Sequence, residues 1–288
     1  MMSFVRKPEW LKVKLPSGET PAQLSSIVER HRLHTVCTSA LCPNRGECWG
    51  NGTATFLIGG DICTRSCKFC NVTTGRPAAL DAMEPAHVAR SVKLLNLKHA
   101  VITSVDRDDL PDLGAAHWVA VISAVKAENP TVTMETLIPD FQGHKELIDK
   151  VIAAAPEIIS HNLETVRRLS KLIRSGATYE RSLDVVRHIA SSGTVVAKSG
   201  IMLGLGETRE EVIETLHDLR SAGCSVVTIG QYLRPSRSNI EVAEYIHPDV
   251  FEEYRLLGLE LGFSFVESAP LVRSSYHAER HVTLGIKN

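Results

Sequence analysis

From about residue 54 onward, short apolar runs rich in β-branched residues alternate with longer stretches of helical periodicity. The runs are ATFLI, HAVITSV, VTMETLI, EIISHNLE, VVAKSGIML, VVTIGQYL and FSFVESAP. Strands separated by helix-length connections pair in parallel, and the helices cover the sheet. The pattern predicts an α/β fold, a partial TIM barrel of the (β/α)6 type over residues 54–270. One helix start is explicit: Thr208-x-x-Glu211 after GLGE is a capping box opening EEVIETLHDLRSAG, and Gly223 stops it. In such barrels chemistry gathers at the C-terminal ends of the strands. Thr103, Ser104, Asp106, Arg107, Glu135, His161, Asn162, Glu164, Lys198, Gln231 and Arg234 are expected there.

Residues 1–53 lack this repeat and read as an extension packed on the barrel, with a second extension at 271–288. Six of the seven cysteines lie between positions 37 and 70, as Cys37, Cys42, Cys48 and then Cys63, Cys67, Cys70. The second triplet follows the first apolar run directly, in a loop that can fold three thiolates around one centre. Thiolates suit iron–sulfur clusters or zinc, and a four-iron cluster ordinarily takes four of them. Three leave one iron open, which points to catalysis, as an open position does at zinc. A structural zinc site would want four ligands in paired C-x2-4-C units, which neither triplet supplies alone. Disulfides need an oxidising compartment, and no charged and apolar leader precedes the body. A metal crosslink through the first triplet would staple an otherwise poorly cored extension. Cys224 stands alone between a helical pattern and an apolar strand, the setting of a small buried hydrophobe.

With 32 basic against 33 acidic residues, the charge balance implies neither nucleic acid nor membrane as partner. No apolar run approaches the roughly 18 residues of a membrane span. The cytoplasm is the expected location.

CTRSCKFC, with Phe69 before its last cysteine, resembles the cluster-binding loop of the radical S-adenosylmethionine enzymes. The preceding Cys37-x4-Cys42-x5-Cys48, the opening KPEWLKVKLPSGE, TSVDRDDL and RSSYHAE together resemble the lipoyl synthases, over Lys7 to about Glu279. The resemblance implies two [4Fe-4S] clusters and S-adenosyl-L-methionine as cofactors. Cys63, Cys67 and Cys70 would hold the catalytic cluster. Cys37, Cys42, Cys48 and Ser275, the serine before the tyrosine of RSSY, would hold an auxiliary cluster that donates sulfur. The implied reaction inserts two sulfur atoms at C6 and C8 of a protein-bound octanoyl-lysine, with two S-adenosylmethionine consumed. Implied partners are octanoylated carrier domains (2-oxoacid dehydrogenase E2 or glycine cleavage H protein), an electron donor such as ferredoxin or flavodoxin, and an iron–sulfur carrier for cluster repair. Arg6, Lys7, Lys12 and Lys14 form either a dock for an acidic carrier or an ordinary solvated face.

Thr103, Ser104, Asn162, Glu164 and Lys198 either contact polar groups of the cofactor or terminate strands. Lys198 is the foremost partner for a cofactor carboxylate, because it interrupts an apolar strand; a buried structural salt bridge is the other reading. The carboxylates of DRDDLPD, Asp106, Asp108, Asp109 and Asp112, read either as a Mg2+ site or, with Arg107 and Pro111 among them, as a solvated loop with polar contacts, the preferred reading. The family usually reads DGGA where this chain has Asp112-Leu113-Gly114-Ala115. Gly204-Leu205-Gly206 lacks the third glycine of a phosphate-binding turn, since position 209 is Arg. His161 and His277 read as structural. Two other functions compete: a biotin-synthase-like sulfur insertase acting on a free small molecule, and a metal-stabilised binding module without turnover.

Overall fold

The computed structural model describes residues 7–12, 44, 48 and 53–284. Its frame is one sheet of seven parallel strands in sequential order. They are β1 Thr53–Ile58, β2 His99–Ser104, β3 Thr133–Leu137, β4 Ile158–Ser160, β5 Val196–Leu203, β6 Val226–Gln231 and β7 Phe265–Ser268. Each neighbouring pair is parallel, Thr53 opposite His99 and Ser160 opposite Lys198 among them. The crossovers carry helices α1 Glu84–Leu94, α2 Ala115–Glu128, α3 Lys145–Ala153, α4 Arg167–Ile173, α5 Tyr179–Ser191, α6 Arg209–Ser221 and α7 Pro248–Glu260. All seven apolar runs form strands, so six β-α units are followed by a last strand. β1 and β7 are the sheet edges.

The strand faces that meet the helices are apolar. Phe56, Ile58, Ala100, Ile102 and Met134 pack with Val92, Trp118, Ile122, Val125 and Ile148 over the first half of the sheet. Leu203, Val227 and Ile229 pack with Leu216, Leu219 and Phe251 over the second. Burying a side chain of this size contributes about 1.5–3 kcal/mol, so this layer carries most of the stability. The helix signals are those expected. Thr208 and Glu211 form the reciprocal capping box of α6, and Gly223 follows its end at φ 86°. Cys224 is fully buried, its thiol turned to the Val226 carbonyl. No helix among the described residues is long and apolar enough to cross a membrane.

The opposite strand faces, made of alternate residues by the pleat, look into the lumen and set polar residues among apolar ones such as Leu57, Val101 and Leu137. His99, Glu135 and Lys198 are buried there, unlike the branched apolar layers that fill most closed barrels. The chain after β7 turns back along this inner face. Thr53 on β1 bonds Glu279 at 3.2 Å, and Phe265 on β7 packs edge-on to His281 with ring centroids 4.7 Å apart. The 3-10 segment Ala278–Leu284 therefore bridges the two sheet edges at the starts of the strands. Gly230 makes room for this tail: a Cβ there would lie 2.1 Å from the Val272 carbonyl oxygen.

Candidate active site

Gly59 and Gly60, at φ 81° and 98°, turn the chain off the end of β1 into the cysteine loop. Positive φ of this kind is strained for any residue with a Cβ. The Cys63 sulfur accepts the Arg65 and Asp106 amides at 3.4 and 3.3 Å. Cys67 accepts the Ser175 amide at 3.3 Å, and Cys70 that of Val72 at 3.5 Å. Each thiol thus faces a donor that favours its ionised form. Burial nevertheless pushes all three thiols up, Cys63 to about 11. Left alone they stay protonated; a polycationic cluster reverses that balance. Among the described residues no three His, Cys, Asp or Glu side chains close on one metal ion. The triplet instead lines the wall of a cavity of about 370 Å³.

Arg65, inside the cysteine motif, anchors the loop. Its guanidinium grips Asp108 through Nε at 2.8 Å and Nη2 at 2.9 Å, Asp140 at 2.7 Å and Asp106 at 3.2 Å. Arg181 adds a second cation to Asp140 at 3.1 Å. Burial alone would raise the Asp140 carboxyl, but the Arg65 hydrogen bond and charge bring it down to about 2. Asp106 goes the other way: burial, with Asp108 and Asp140 nearby, outweighs Arg65 and lifts it to about 6. The DRDDLPD carboxylates make the polar contacts expected and Asp109 is exposed, but Asp106 and Asp108 are half-buried rather than solvated. Asp106 and Asp108 are ion-paired to Arg65, and Asp109 to Arg107 at 2.9 Å.

At the strand ends, Thr103, Ser104, Asn162 and Glu164 all line the cavity, as expected. Ser104 Oγ and Asn162 Oδ1 are buried there without a hydrogen-bond partner. Orphaned polar atoms facing a cavity call for a ligand to satisfy them. Glu164 holds φ 67°, a strained conformation fixed by its bridge to Ile201, and such strain concentrates at functional sites. Burial pushes its carboxyl up against the opposing effects of Arg174 and Asn162. Gly200 keeps the floor open: a Cβ there would sit 2.4 Å from Thr228 Oγ1 and 3.1 Å from Asn162 Oδ1. Sequence reasoning missed Arg174. It lines the cavity, bonds Ser182 Oγ at 2.6 Å and has no carboxylate in salt-bridge range among the described residues. Burial pushes its pKa down, against the raising effects of Glu164 and Cys67. Its place in RRLSKLIR, a basic amphipathic helix, concealed it.

Lys198 departs from its expected role. It is the third residue of the eight in β5, below Gly200 on the same face, and it does not line the cavity. Its ammonium reaches Glu135 at 2.7 Å, both side chains fully buried, and the Ser274 carbonyl at 2.6 Å. A cofactor carboxylate would have to displace Glu135. Glu135 lies mid-strand rather than at a strand end, for the same reason of register. His161 is structural, held by the Ile138 carbonyl and Ser182 Oγ at 2.9 Å each. The Gly204 and Leu205 amides are capped by the Glu207 carboxylate, so that turn does not offer them to a phosphate.

Ser274 and Ser275 reach the cavity from the tail. Of the first triplet, Cys37 and Cys42 lie outside the described residues. Cys48 packs against the first half of the core and donates its amide to the Asn44 carbonyl at 3.0 Å. The Asn44 side chain in turn bonds the Leu271 carbonyl at 2.6 Å, four residues before Ser275. Cys48 is thereby linked through Asn44 to the segment carrying the serine. Arg6 and Lys14 also lie outside the described residues, whereas Lys12 pairs with Glu9.

A partial parallel barrel with a CxxxCxxC loop after its first strand defines a radical S-adenosylmethionine protein, and residues 57–219 match the Radical SAM superfamily. A crystal structure of methylornithine synthase superposes with a TM-score of 0.54 over 93% of both chains at 14% identity, a likeness of fold alone. The chain is 65% identical to the lipoyl synthase of Treponema denticola, over 96% of this chain and 95% of that protein. It is 62% identical to the lipoyl synthase of Porphyromonas gingivalis, over 98% and 100%. It belongs to the lipoyl synthase family.

Proposed function

We infer that this chain is a radical S-adenosylmethionine sulfurtransferase that inserts two sulfur atoms at C6 and C8 of a protein-bound octanoyl-lysine. The observation that carries the reading is the cavity. The cysteine loop forms one side of it, orphaned Ser104 and Asn162 oxygens lie at the strand ends, Arg174 at the end of α4 brings a cation with no carboxylate in salt-bridge range among the described residues, and Ser275 approaches from the tail. These groups fit a cluster together with a cofactor that carries a carboxylate, an amine and hydroxyls. Two [4Fe-4S] clusters and S-adenosylmethionine, when bound, supply the electron, the hydrogen-abstracting radical and the sulfur.

The chain's own residues bind, orient and enclose. Cys63, Cys67 and Cys70 would hold the catalytic cluster, steadied by four backbone amides and by Arg65. Arg174 offers a desolvated cation to the carboxylate of S-adenosylmethionine. Thr103, Ser104, Asn162 and Glu164 offer donors and acceptors to its polar groups. Cys37, Cys42, Cys48 and Ser275 would hold the auxiliary cluster. The three-part organisation 1–53, 54–270 and 271–288 follows from these roles. Octanoylated E2 or H-protein domains as substrates, a ferredoxin or flavodoxin as donor, an iron–sulfur carrier for repair and a cytoplasmic location complete the reading.

The test is anaerobic reconstitution followed by an octanoyl-lysine peptide assay. About eight irons per chain, falling to about four when Cys63, Cys67 and Cys70 become Ala, is the stoichiometry of two cubane clusters. Turnover to the dithiolated peptide supports the reading; stoichiometric zinc with no iron overturns it.

A further inference from the structure

The buried pair Glu135–Lys198 lies below the cavity, and neither member lines it. Replacing a buried ion pair by apolar residues is often neutral or stabilising, so its presence calls for a role in specifying structure. The ammonium has three donors. One goes to Glu135, and the other two meet the tail: the Ser274 carbonyl at 2.6 Å and His281 Nδ1 at 3.3 Å. Glu135 is itself held by Ser160 Oγ at 3.0 Å.

The Ser274 carbonyl belongs to the central peptide of a β-turn, closed by the Tyr276 amide on the Arg273 carbonyl at 2.9 Å. That closing bond is common to type I and type II turns, which differ by a flip of the central peptide. Type II demands a positive φ at the third residue, which is Ser275, and Ser275 does not have one. The turn's own hydrogen bond cannot select between the two, whereas a cation fixed on the Ser274 oxygen can. The same hold fixes, against β3 and β5, the backbone from which the Ser275 side chain projects.

We propose that Lys198, held in place by Glu135, is a positioning residue that clamps the tail backbone at the Ser274 carbonyl and so holds Ser275 at the cavity it lines. The proposal rests on the reading of Ser275 as the oxygen ligand of the auxiliary cluster. His281 gives the clamp a second hold on the same tail, six residues beyond Ser275. Gly230, by admitting the Val272 carbonyl against β6, fixes the tail on the other side of the turn.

The test uses the full chain with Glu135→Gln/Lys198→Met, which leaves no lone buried charge and keeps a partner for Ser160, and with Glu135→Gln/Lys198→Gln as a second neutral pair should the first fold poorly. Amide hydrogen exchange on the metal-free protein reads the clamp directly. Peptides covering 271–282 are expected to exchange about 10- to 100-fold faster, the range for losing a hydrogen bond to a charged group, while β2 and β6 stay unchanged. Iron content and the Mössbauer spectrum of the auxiliary cluster, taken in a Cys63, Cys67, Cys70→Ala background, read the consequence beside Ser275→Ala. A loosened tail together with the spectral change that Ser275→Ala produces supports the proposal. Unchanged tail exchange in both pairs overturns it. A loosened tail with no spectral change in either the pair variants or Ser275→Ala upholds the clamp and overturns the ligand reading of Ser275.

Discussion

Replacing Arg65 by Met separates what holds the cluster loop from what holds the cluster. The guanidinium is 7% exposed and Asp140 is 0% exposed, while Asp108 and Asp106 keep 27% and 22%. Breaking a buried pair by removing one partner costs about 3–5 kcal/mol. Arg181 still serves Asp140, and the other two carboxylates can turn partly to water, so the loss at pH 7 is expected near the lower end, about 3 kcal/mol. With a urea slope of about 1–3 kcal/mol/M, the midpoint of the metal-free, reduced protein falls by about 1 M or more. The pH dependence identifies the cause. In the wild type the Asp140 carboxyl is held at about 2. Its contribution is complete above about 3.8 and is lost only as the pH falls from there towards 2. Without Arg65 the three carboxyls rise, so acidification from pH 7 towards 4 protonates them in the folded state and narrows the deficit. Arg65→Lys should recover only part, since an ammonium cannot present the planar fork that grips Asp108 twice. A deficit under about 1 kcal/mol at pH 7, or one that stays flat with pH, refutes the account of the buried ion network.

Three further outcomes are expected. Arg174→Gln should weaken S-adenosylmethionine binding to the cluster-loaded protein by about 10- to 100-fold, measured by equilibrium dialysis, while leaving the urea midpoint of the metal-free protein unchanged or higher because an unpaired buried cation is gone. His161 is buried as the neutral imidazole, with burial first and the Arg174 charge next holding it down at about 4; its stabilising contribution is full above about 6.5, is lost as the pH falls towards 4, and amounts to about 3 kcal/mol, so His161→Gln should flatten the urea midpoint over that interval. Leu113 occupies φ 53°, in the left-handed region that favours glycine, so Leu113→Gly should be more stable than Leu113→Ala by about 1 kcal/mol in urea unfolding, the reverse of the order in a helix.

What was legible in the sequence was local. The seven strand runs, the capping box at Thr208, the burial of Cys224 and the cysteine loop each depend on a pattern within about ten residues. What escaped depended on which strands become neighbours and at what height. Asp106 and Asp108 read as solvated because their cation, Arg65, lies some forty residues earlier, inside a motif that draws attention to its thiols. Parallel pairing of β1 with β2 is what brings the two loops together. For Lys198 the alternation of the strand correctly implies a lumen-facing side chain. Its depth is set by the register of β5 against β4, Lys198 opposite Ser160, and no periodicity reports that. The tail carries no repeat at all, yet its path is implied by the lumen. His99, Glu135 and Lys198 on the inner faces of three different strands cannot be satisfied by one another alone. Among the described residues the tail supplies the further partners, the Ser274 carbonyl and His281 Nδ1 both meeting Lys198. Polar residues on the inward face of an open barrel are thus a sequence record of chain insertion, and here the inserted chain brings Ser275 to the cavity that the cysteine loop borders.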